Sequence, residues 1–421
     1  MQSCMVCYTD KLTMSEMFTS DFFVGNRARL RDLFTGKAPI VITAAGQLQR
    51  GNDSTYPFHQ DANFWYLTGI DEPDMVLVMD KGKEYLILPE RSDYQDIFDG
   101  SVDTSELTRI SGIKAILSAS DGWKQLGARI KKVKHVATLA APKPYIEIYG
   151  MYANPARAEL VGKLKSHNVS LKLLDLRIHL TRLRMLKQTP ELKAMQIAIN
   201  LTAGAIKRIQ KRLPKLSHEY EIEAEITAYF LKHGADNAWK PIVAAGDNAC
   251  VMHYHSNQSA IAPDNLVMID IGAEISHYAA DITRTFSSGA KPSRRQQIVH
   301  EAVQEVQDFA FGLLKPGVMI KAYEQQIEHF MGEKLRELGL IKTIEREQVR
   351  KYFPHATSHF LGLEPHDAGN YDQALEAGVV ITVEPGIYIP EEGIGVRIED
   401  DVLITENGIE ILSRRLPRDL L

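Results

Sequence analysis

"LVMIDIGAEISHYAADITRTF", residues 266–286, contains two strand-like segments, and each carries an aspartate in otherwise apolar surroundings. Asp270 ends the run from Leu266 to Ile269, and Asp281 follows eleven residues later. A lone aspartate in a strand usually marks a turn or a sheet edge, because an unpaired carboxylate is costly to bury. Two of them in one apolar stretch therefore need compensating partners elsewhere in the chain.

A second pair of strand-like segments near the C-terminus repeats this form. "LVMIDIG" (266–272) and "VVITVEPG" (379–386) each combine an apolar run, one carboxylate and a glycine two residues later. Each is followed by a further strand with an acid, Asp281 in the first case and Glu399 in the second. Such a short match can also arise by chance. If it reflects an internal duplication, four carboxylates, including Glu384, come together.

A histidine-rich segment supplies the nitrogen ligands that such a cluster would accept. "FPHATSHFLGLEPHDAG" (353–369) contains His355, His359 and His366, of which the first two share a face of either a helix or a strand. No Glu lies between them in the H-E-x-x-H sense, so that zinc motif is excluded. Four buried carboxylates would be neutralised by two divalent cations. The histidines alone would fit an ordinary core or surface, and Arg397 beside Glu399 an ordinary ion pair; their combination with four strand carboxylates favours a metal site.

Composition restricts the remaining possibilities. The 421 residues indicate two domains, and 44% hydrophobic with 24% charged residues are typical of a globular protein. A net charge of -5 gives no electrostatic support for nucleic-acid binding. Neither a membrane span nor a secretory signal is recognisable, so we expect a cytoplasmic protein. Cys4 and Cys7 form a C-x-x-C without a second pair, and we predict no zinc or redox site there.

The alternation of elements predicts an α/β N-terminal domain over 1–180 and a second domain over 181–421. Short apolar runs bounded by Gly, Pro and charges predict four N-terminal strands, and helical patterns lie between them. The strands are expected at 39–46, 74–80, 84–90 and 135–142. In the second domain, Thr189-Pro190-Glu191 predicts a helix start with Thr189 as the cap. This helix is expected to run to residue 213. Further helices are expected over 218–234, 293–314 and 321–338.

These motifs resemble those of the "pita-bread" metallopeptidases, the family of methionine aminopeptidase, aminopeptidase P and prolidase. "DIGAEISHYAADITRTF", "HFLGLEPHDAG", "VEPGIYI" and "GVRIEDDVLIT" are similar in order and spacing to the family's motifs, and the resemblance covers about 180–421. "YPFHQDANFWYLTGIDEPDMVLVM" (56–79) resembles the N-terminal domain of aminopeptidase P, which methionine aminopeptidases lack. The resemblance implies an α+β pita-bread catalytic domain. Ser358 stands where the family usually has Gly.

The resemblance also implies roles for individual residues. Two divalent metal ions would be held by Asp270, Asp281, His359, Glu384 and Glu399, with Asp281 and Glu399 as bridges. An oxygen-rich set of this kind favours Mn²⁺, and the nucleophile would be a hydroxide activated by both ions. Catalytic roles fall to His253, His355, His366, Glu384 and Arg397. Substrate contacts fall to the same three histidines and Tyr388.

The implied activity is that of a Xaa-Pro aminopeptidase, which releases an N-terminal residue from peptides with proline at the second position. Prolidase, which cleaves only Xaa-Pro dipeptides, shares all the ligands and is the nearest alternative. A non-catalytic pita-bread binding protein is a third, although such proteins have lost ligands that this chain keeps. We expect peptide substrates, neither nucleic acid nor membrane as a partner, and a homo-oligomer, a dimer or a tetramer.

Overall fold

A computed structural model describes residues 17–139, 150–289 and 291–420. The chain divides into two compact units, with the change at Leu183 and Arg184. No helix in these described ranges is long and apolar enough to cross a membrane. The pair Cys4 and Cys7 lies outside the described residues.

The N-terminal unit is built on one six-stranded sheet, as its α/β pattern predicts. Its strands have the order β4-β3-β2-β1-β5-β6, in which β2 is antiparallel to both neighbours and the other pairings are parallel. All four predicted strands are present, and two short ones, β4 and β6, join them. The strands are β1 (Ile40–Thr43), β2 (Val76–Asp80), β3 (Lys83–Ile87), β4 (Ile116–Leu117), β5 (His135–Thr138) and β6 (Lys172–Asp175).

The helices Ala119–Ile130 and Ala156–His167 pack against this sheet, and several helix ends of the unit follow capping rules. Asp61 caps the helix Ala62–Thr68 by accepting from two backbone N–H groups, and Gly69 ends it in the left-handed region at φ 69°. Buried aliphatic side chains of the sheet and of the helices on it form one apolar core. The helices are Ser20–Leu33, Ala62–Thr68, Asp93–Asp99, Thr104–Ser111, Ala119–Ile130, Ala156–His167 and Arg177–Met185.

The C-terminal unit combines five α-helices in the described chain with short antiparallel sheets. One core lies between the first two helices and strands 242–287, and another between the next two and strands 380–411. The first helix is capped by Gln188 and not by Thr189, because the Glu191 carboxylate accepts from the Gln188 N–H at 2.8 Å. The helices are Thr189–Arg212, Glu219–Lys232, Arg294–Leu313, Ile320–Glu337 and Arg346–Tyr352.

The carboxylate-bearing stretches form more strands than the apolar runs indicate. Residues 266–286 form four short strands, and Ser276 and His277 make the turn of the inner pair with φ of 48° and 66°. The late stretches are each interrupted, the first at Glu384 and Pro385, because proline donates no ladder hydrogen bond. The strands are β7 (Asp236–Asn237), β8 (Ile242–Ala245), β9 (Leu266–Ile271), β10 (Ala273–Ile275), β11 (Tyr278–Ala279), β12 (Ile282–Ser287), β13 (Val380–Val383), β14 (Gly386–Ile389), β15 (Ile394–Arg397), β16 (Asp400–Thr405) and β17 (Gly408–Ile411).

Candidate metal centre

Antiparallel pairing brings the predicted carboxylates onto neighbouring strands. Asp270 lies in β9 opposite Thr283 of β12, and Asp281 immediately precedes β12. The backbone N–H of Glu399 donates to the Thr283 carbonyl at 3.1 Å, which joins the acid between β15 and β16 to β12. Glu384 follows β13. The four acids thus come from separate strand ends that tertiary packing brings to one place.

His359 completes this cluster. Its Nε2 lies 3.2 Å from Oε1 of Glu384 and 3.5 Å from Oδ2 of Asp281. Side-chain atoms of Asp281, His359 and Glu399 that could bind a metal ion lie within 4.8 Å of one another, and all three residues are buried. His359 Nδ1 contacts the Phe360 carbonyl at 3.1 Å, which orients the ring with Nε2 toward the acids. The histidine and three of the four predicted acids therefore converge, with Asp270 beside them on β9.

The electrostatics of this cluster are those of crowded negative charge. Burial first, and neighbouring carboxylates next, raise the pKa of Glu399 well above its usual range and that of Asp281 to about 7. Burial also raises the pKa of Asp270. Glu384 differs, because the hydrogen bond from His359 and nearby positive charges outweigh burial and lower its pKa to about 2. The pKa of His359 is in turn raised well above its usual range, since its two acidic partners outweigh its burial.

Arg397 compensates part of this charge and links several side chains. Its guanidinium donates to Asp270 Oδ2 at 2.5 Å, to the Thr283 hydroxyl at 3.2 Å and to the Tyr388 hydroxyl at 2.9 Å. It is 4% exposed, so it is a buried partner of Asp270 and not a surface partner of Glu399. The Tyr388 hydroxyl also contacts His355 Nε2 at 2.7 Å. Arg397 and Tyr388 thereby connect His355 to the cluster.

The remaining predicted histidines lie on the exposed side of the cluster. The His366 ring stacks on His359 with centroids 4.0 Å apart and planes 7° from parallel. The His366 side chain is exposed, but desolvation by the residues around it, followed by the charges of His359 and His253, lowers its pKa to about 4. His253 is exposed and stacks on His255 at 6.1 Å. His355, His366 and His253 therefore surround the carboxylate cluster without belonging to it.

The donor set fits divalent cations. Asp270 Oδ1 is buried and has no hydrogen-bond partner in the described part of the chain. The set contains four carboxylates, one imidazole and no thiolate, which is the chemistry of hard cations. Cations bound here would supply the positive charge that these buried acids lack.

Two glycines that follow the carboxylates allow close packing at the site. A Cβ on Gly272 would lie 1.9 Å from the Ala280 carbonyl oxygen, so only glycine fits beside the segment that carries Asp281. A Cβ on Gly386 would lie 2.4 Å from the Tyr388 hydroxyl. The repeated glycine two positions after the acid is therefore explained by packing.

Several residues behind the cluster are not among the site residues predicted from the sequence. Thr283 donates to Glu399 Oε2 at 2.6 Å, and its place two residues after Asp281 in a strand was the available signal. Asp401 is fully buried and accepts from the Asp281 N–H at 3.2 Å. Glu324 accepts from the N–H groups of Thr357 and Ser358, and no sequence pattern indicates this contact.

Ser358, where the family usually has Gly, is accommodated without displacing His359. Its side chain is buried, and its hydroxyl hydrogen-bonds the Tyr323 hydroxyl at 3.1 Å. The backbone of His359 remains held in place, because its N–H donates to the Thr382 hydroxyl at 3.2 Å. The Cβ therefore occupies space behind the histidine and not the space around its ring nitrogens.

Each of the two units matches a known protein family. The profile of metallopeptidase family M24 matches residues 193–406, and that of the aminopeptidase P N-terminal domain matches residues 23–137. A Xaa-Pro aminopeptidase of Haemophilus influenzae is 34% identical over 94% of this chain and 95% of its own length. A Xaa-Pro aminopeptidase of Escherichia coli is 32% identical over 95% of this chain and 96% of its own length. The solved structure of E. coli aminopeptidase P with the inhibitor Pro-Leu superimposes with a TM-score of 0.81 at 30% identity, covering 95% of this chain and 96% of that one.

Proposed function

Because the chain belongs to metallopeptidase family M24 and combines its pita-bread domain with an aminopeptidase P N-terminal domain, we propose that it hydrolyses the bond between an N-terminal residue and a following proline. One observation carries the proposal. Three buried ligands, Asp281, His359 and Glu399, converge within 4.8 Å in a chain that has both domains. The chain is a metal-dependent hydrolase, and its relatives named above are Xaa-Pro aminopeptidases.

The proposed ligand set holds two divalent ions, with Mn²⁺ as the favoured metal. Supporting features are the four carboxylates with one imidazole and the buried Oδ1 of Asp270, which has no hydrogen-bond partner among the described residues. When bound, two such ions supply a water activated for attack at neutral pH. The proposed metal ligands are Asp270, Asp281, His359, Glu384 and Glu399.

The chain's own residues would bind the substrate and handle protons around this centre. Desolvation by the residues around it lowers the pKa of His366 to about 4, so this ring is neutral at pH 7 and its N–H can donate to a substrate carbonyl. His355 is also held neutral, because burial lowers its pKa, and its contact with Tyr388 fixes its ring. Glu384 is ionised at neutral pH and can accept a proton during hydrolysis. Arg397 keeps Asp270 in place.

Proline at the second position sets a physical requirement on this site. The imide nitrogen of an Xaa-Pro bond carries no N–H, so recognition must use the ring and the carbonyl. His253, His355 and His366 offer aromatic faces and N–H donors, and none of them requires an amide hydrogen from the substrate. Such a group suits a small ring beside the scissile bond.

The test compares Ala-Pro-Yaa with Ala-Ala-Yaa peptides in the Mn²⁺-loaded enzyme. We expect a much larger kcat/KM for the proline peptide, and equal values would remove the proline assignment. The dipeptide Ala-Pro is the third substrate, since cleavage of the dipeptide alone would indicate a prolidase. Absence of hydrolysis of all three would indicate a binding protein.

Two further properties stay predictions from the sequence. A cytoplasmic location can be checked by fractionation of cells that produce the protein at native level. Assembly into a dimer or a tetramer can be checked by light scattering of the purified full-length chain.

A further inference from the structure

A single buried carboxylate gathers four hydrogen bonds from one segment of the C-terminal unit. Glu219, the first residue of its helix, is fully buried. Its Oε1 accepts from the Ala245 N–H and the Asn248 amide, each at 2.9 Å. Its Oε2 accepts from the Tyr254 hydroxyl at 2.8 Å and the Ser259 N–H at 2.9 Å. All four donors belong to residues 245–259, which we call the clamped segment.

The clamped segment carries His253 and packs on the centre described above. Met252 and Tyr254, on either side of His253, pack against the apolar cluster that contains Tyr388. A Cβ on Gly395 would lie 2.4 Å from the Ala249 carbonyl oxygen, so β15 approaches this segment directly. The position of the His253 ring therefore depends on the conformation of this segment.

Burying the carboxylate of Glu219 costs free energy that an apolar side chain in the same space would not cost. A buried carboxylate is tolerated only when its oxygens accept hydrogen bonds, and here two donors reach each oxygen of Glu219. Two of the four are backbone N–H groups at opposite ends of the clamped segment, Ala245 and Ser259, and the Tyr254 hydroxyl comes from beside His253. The carboxylate thus fixes both ends and the centre of the segment at one point.

We propose that Glu219 is a positioning residue that holds the clamped segment so that His253 faces the substrate. This inference rests on the proposed function, because it assigns His253 a substrate contact. Glu219 itself contacts neither substrate nor metal. It acts through the segment, and its effect should disappear when the His253 ring is absent.

A double-mutant cycle with Glu219→Gln and His253→Ala tests this on the metal-loaded, full-length enzyme. Gln keeps the shape of Glu but presents an NH₂ group to two of the donors, so the segment should shift. Since a displacement of about 1 Å can cost 10²-fold, we expect kcat/KM for Ala-Pro-Yaa to fall by roughly 10²-fold. In the His253→Ala background the same substitution should cause no further loss. An equal fall in both backgrounds would overturn the proposal.

Glu225→Gln is the matched control on the same helix. Glu225 pairs with Arg212 at 2.6 Å, and among the described residues it makes no hydrogen bond or ion pair with the clamped segment, so activity should be unchanged. Metal content should remain at the wild-type level in all variants. If Glu219→Gln fails to fold, Tyr254→Phe removes one of the four hydrogen bonds and enters the same cycle with the same expectation.

Hydrogen exchange gives a readout that does not depend on turnover. The amide hydrogens of Ala245 and Ser259 should exchange faster in Glu219→Gln than in wild type, and unchanged protection would contradict the clamp. If wild-type enzyme does not cleave proline peptides, the proposed function fails, whereas exchange still reports on Glu219. If cleavage occurs but the cycle is additive, only the positioning role fails.

Discussion

Thr283→Val should weaken metal binding while leaving the packing of β12 intact. The Thr283 side chain is fully buried; its hydroxyl donates to Glu399 Oε2 at 2.6 Å and accepts from Arg397 Nε at 3.2 Å. Valine has nearly the same shape but neither hydrogen bond. Hydrogen bonds to charged groups contribute about 1.5–3 kcal/mol each, and loss of such a partner typically lowers metal affinity by about 10- to 100-fold. We therefore expect Mn²⁺ affinity to fall within that range.

The assay is competition for Mn²⁺ with a chelator of known affinity, at fixed pH. Thr285→Val is the matched control, because Thr285 lies two residues further along the same strand and is also buried. Its hydroxyl contacts only backbone atoms of Arg397, at 3.1 and 3.3 Å, among the contacts described. Wild-type affinity in Thr283→Val, or an equal loss in Thr285→Val, would refute the argument.

Three other outcomes are expected. His366→Ala should lower kcat on Ala-Pro-Yaa by about 10²-fold or more if the ring donates to the oxyanion; an unchanged kcat would exclude that role. Asp281→Ala should lose metal on elemental analysis while His253→Ala keeps it, and metal loss from the latter would mean that His253 is a ligand. Burial lowers the pKa of His300 to about 4. Below pH 6.5 the unfolded chain therefore binds more protons than the folded protein, and the free energy of unfolding decreases as the pH falls. His300→Asn should remove about 2 kcal/mol of the loss between pH 7 and 5 in urea titrations, and parallel curves for the two proteins would contradict this.

Much of the fold follows from local signals in the sequence. Apolar runs bounded by glycine, proline and charges predicted four of the six N-terminal strands, because a buried strand needs continuous apolar side chains. The predicted ends of the C-terminal helices agree with the structure to within a few residues, although Gln188, and not the predicted Thr189, caps the first of them. The position of the cap is decided by the hydrogen bond from the Gln188 N–H to the Glu191 carboxylate, and the types of residue at the helix start do not reveal this contact. Residues 378–389 predict a single strand, but Pro385 interrupts it between β13 and β14.

The four candidate acids were also recognisable from the sequence, because buried strands rarely carry acids without compensation, whereas His359 was singled out only by the family resemblance. The contacts that these candidate ligands make were not recognisable from the sequence. Arg397 pairs with Asp270 and not with its neighbour Glu399, and Thr283 supports Glu399 from another strand. Glu219 shows no motif at all, yet it holds the segment that carries His253. The sequence determined which residue types the site contains, whereas sheet register and packing decided their partners, because a hydrogen bond forms only where tertiary folding brings donor and acceptor within about 3 Å.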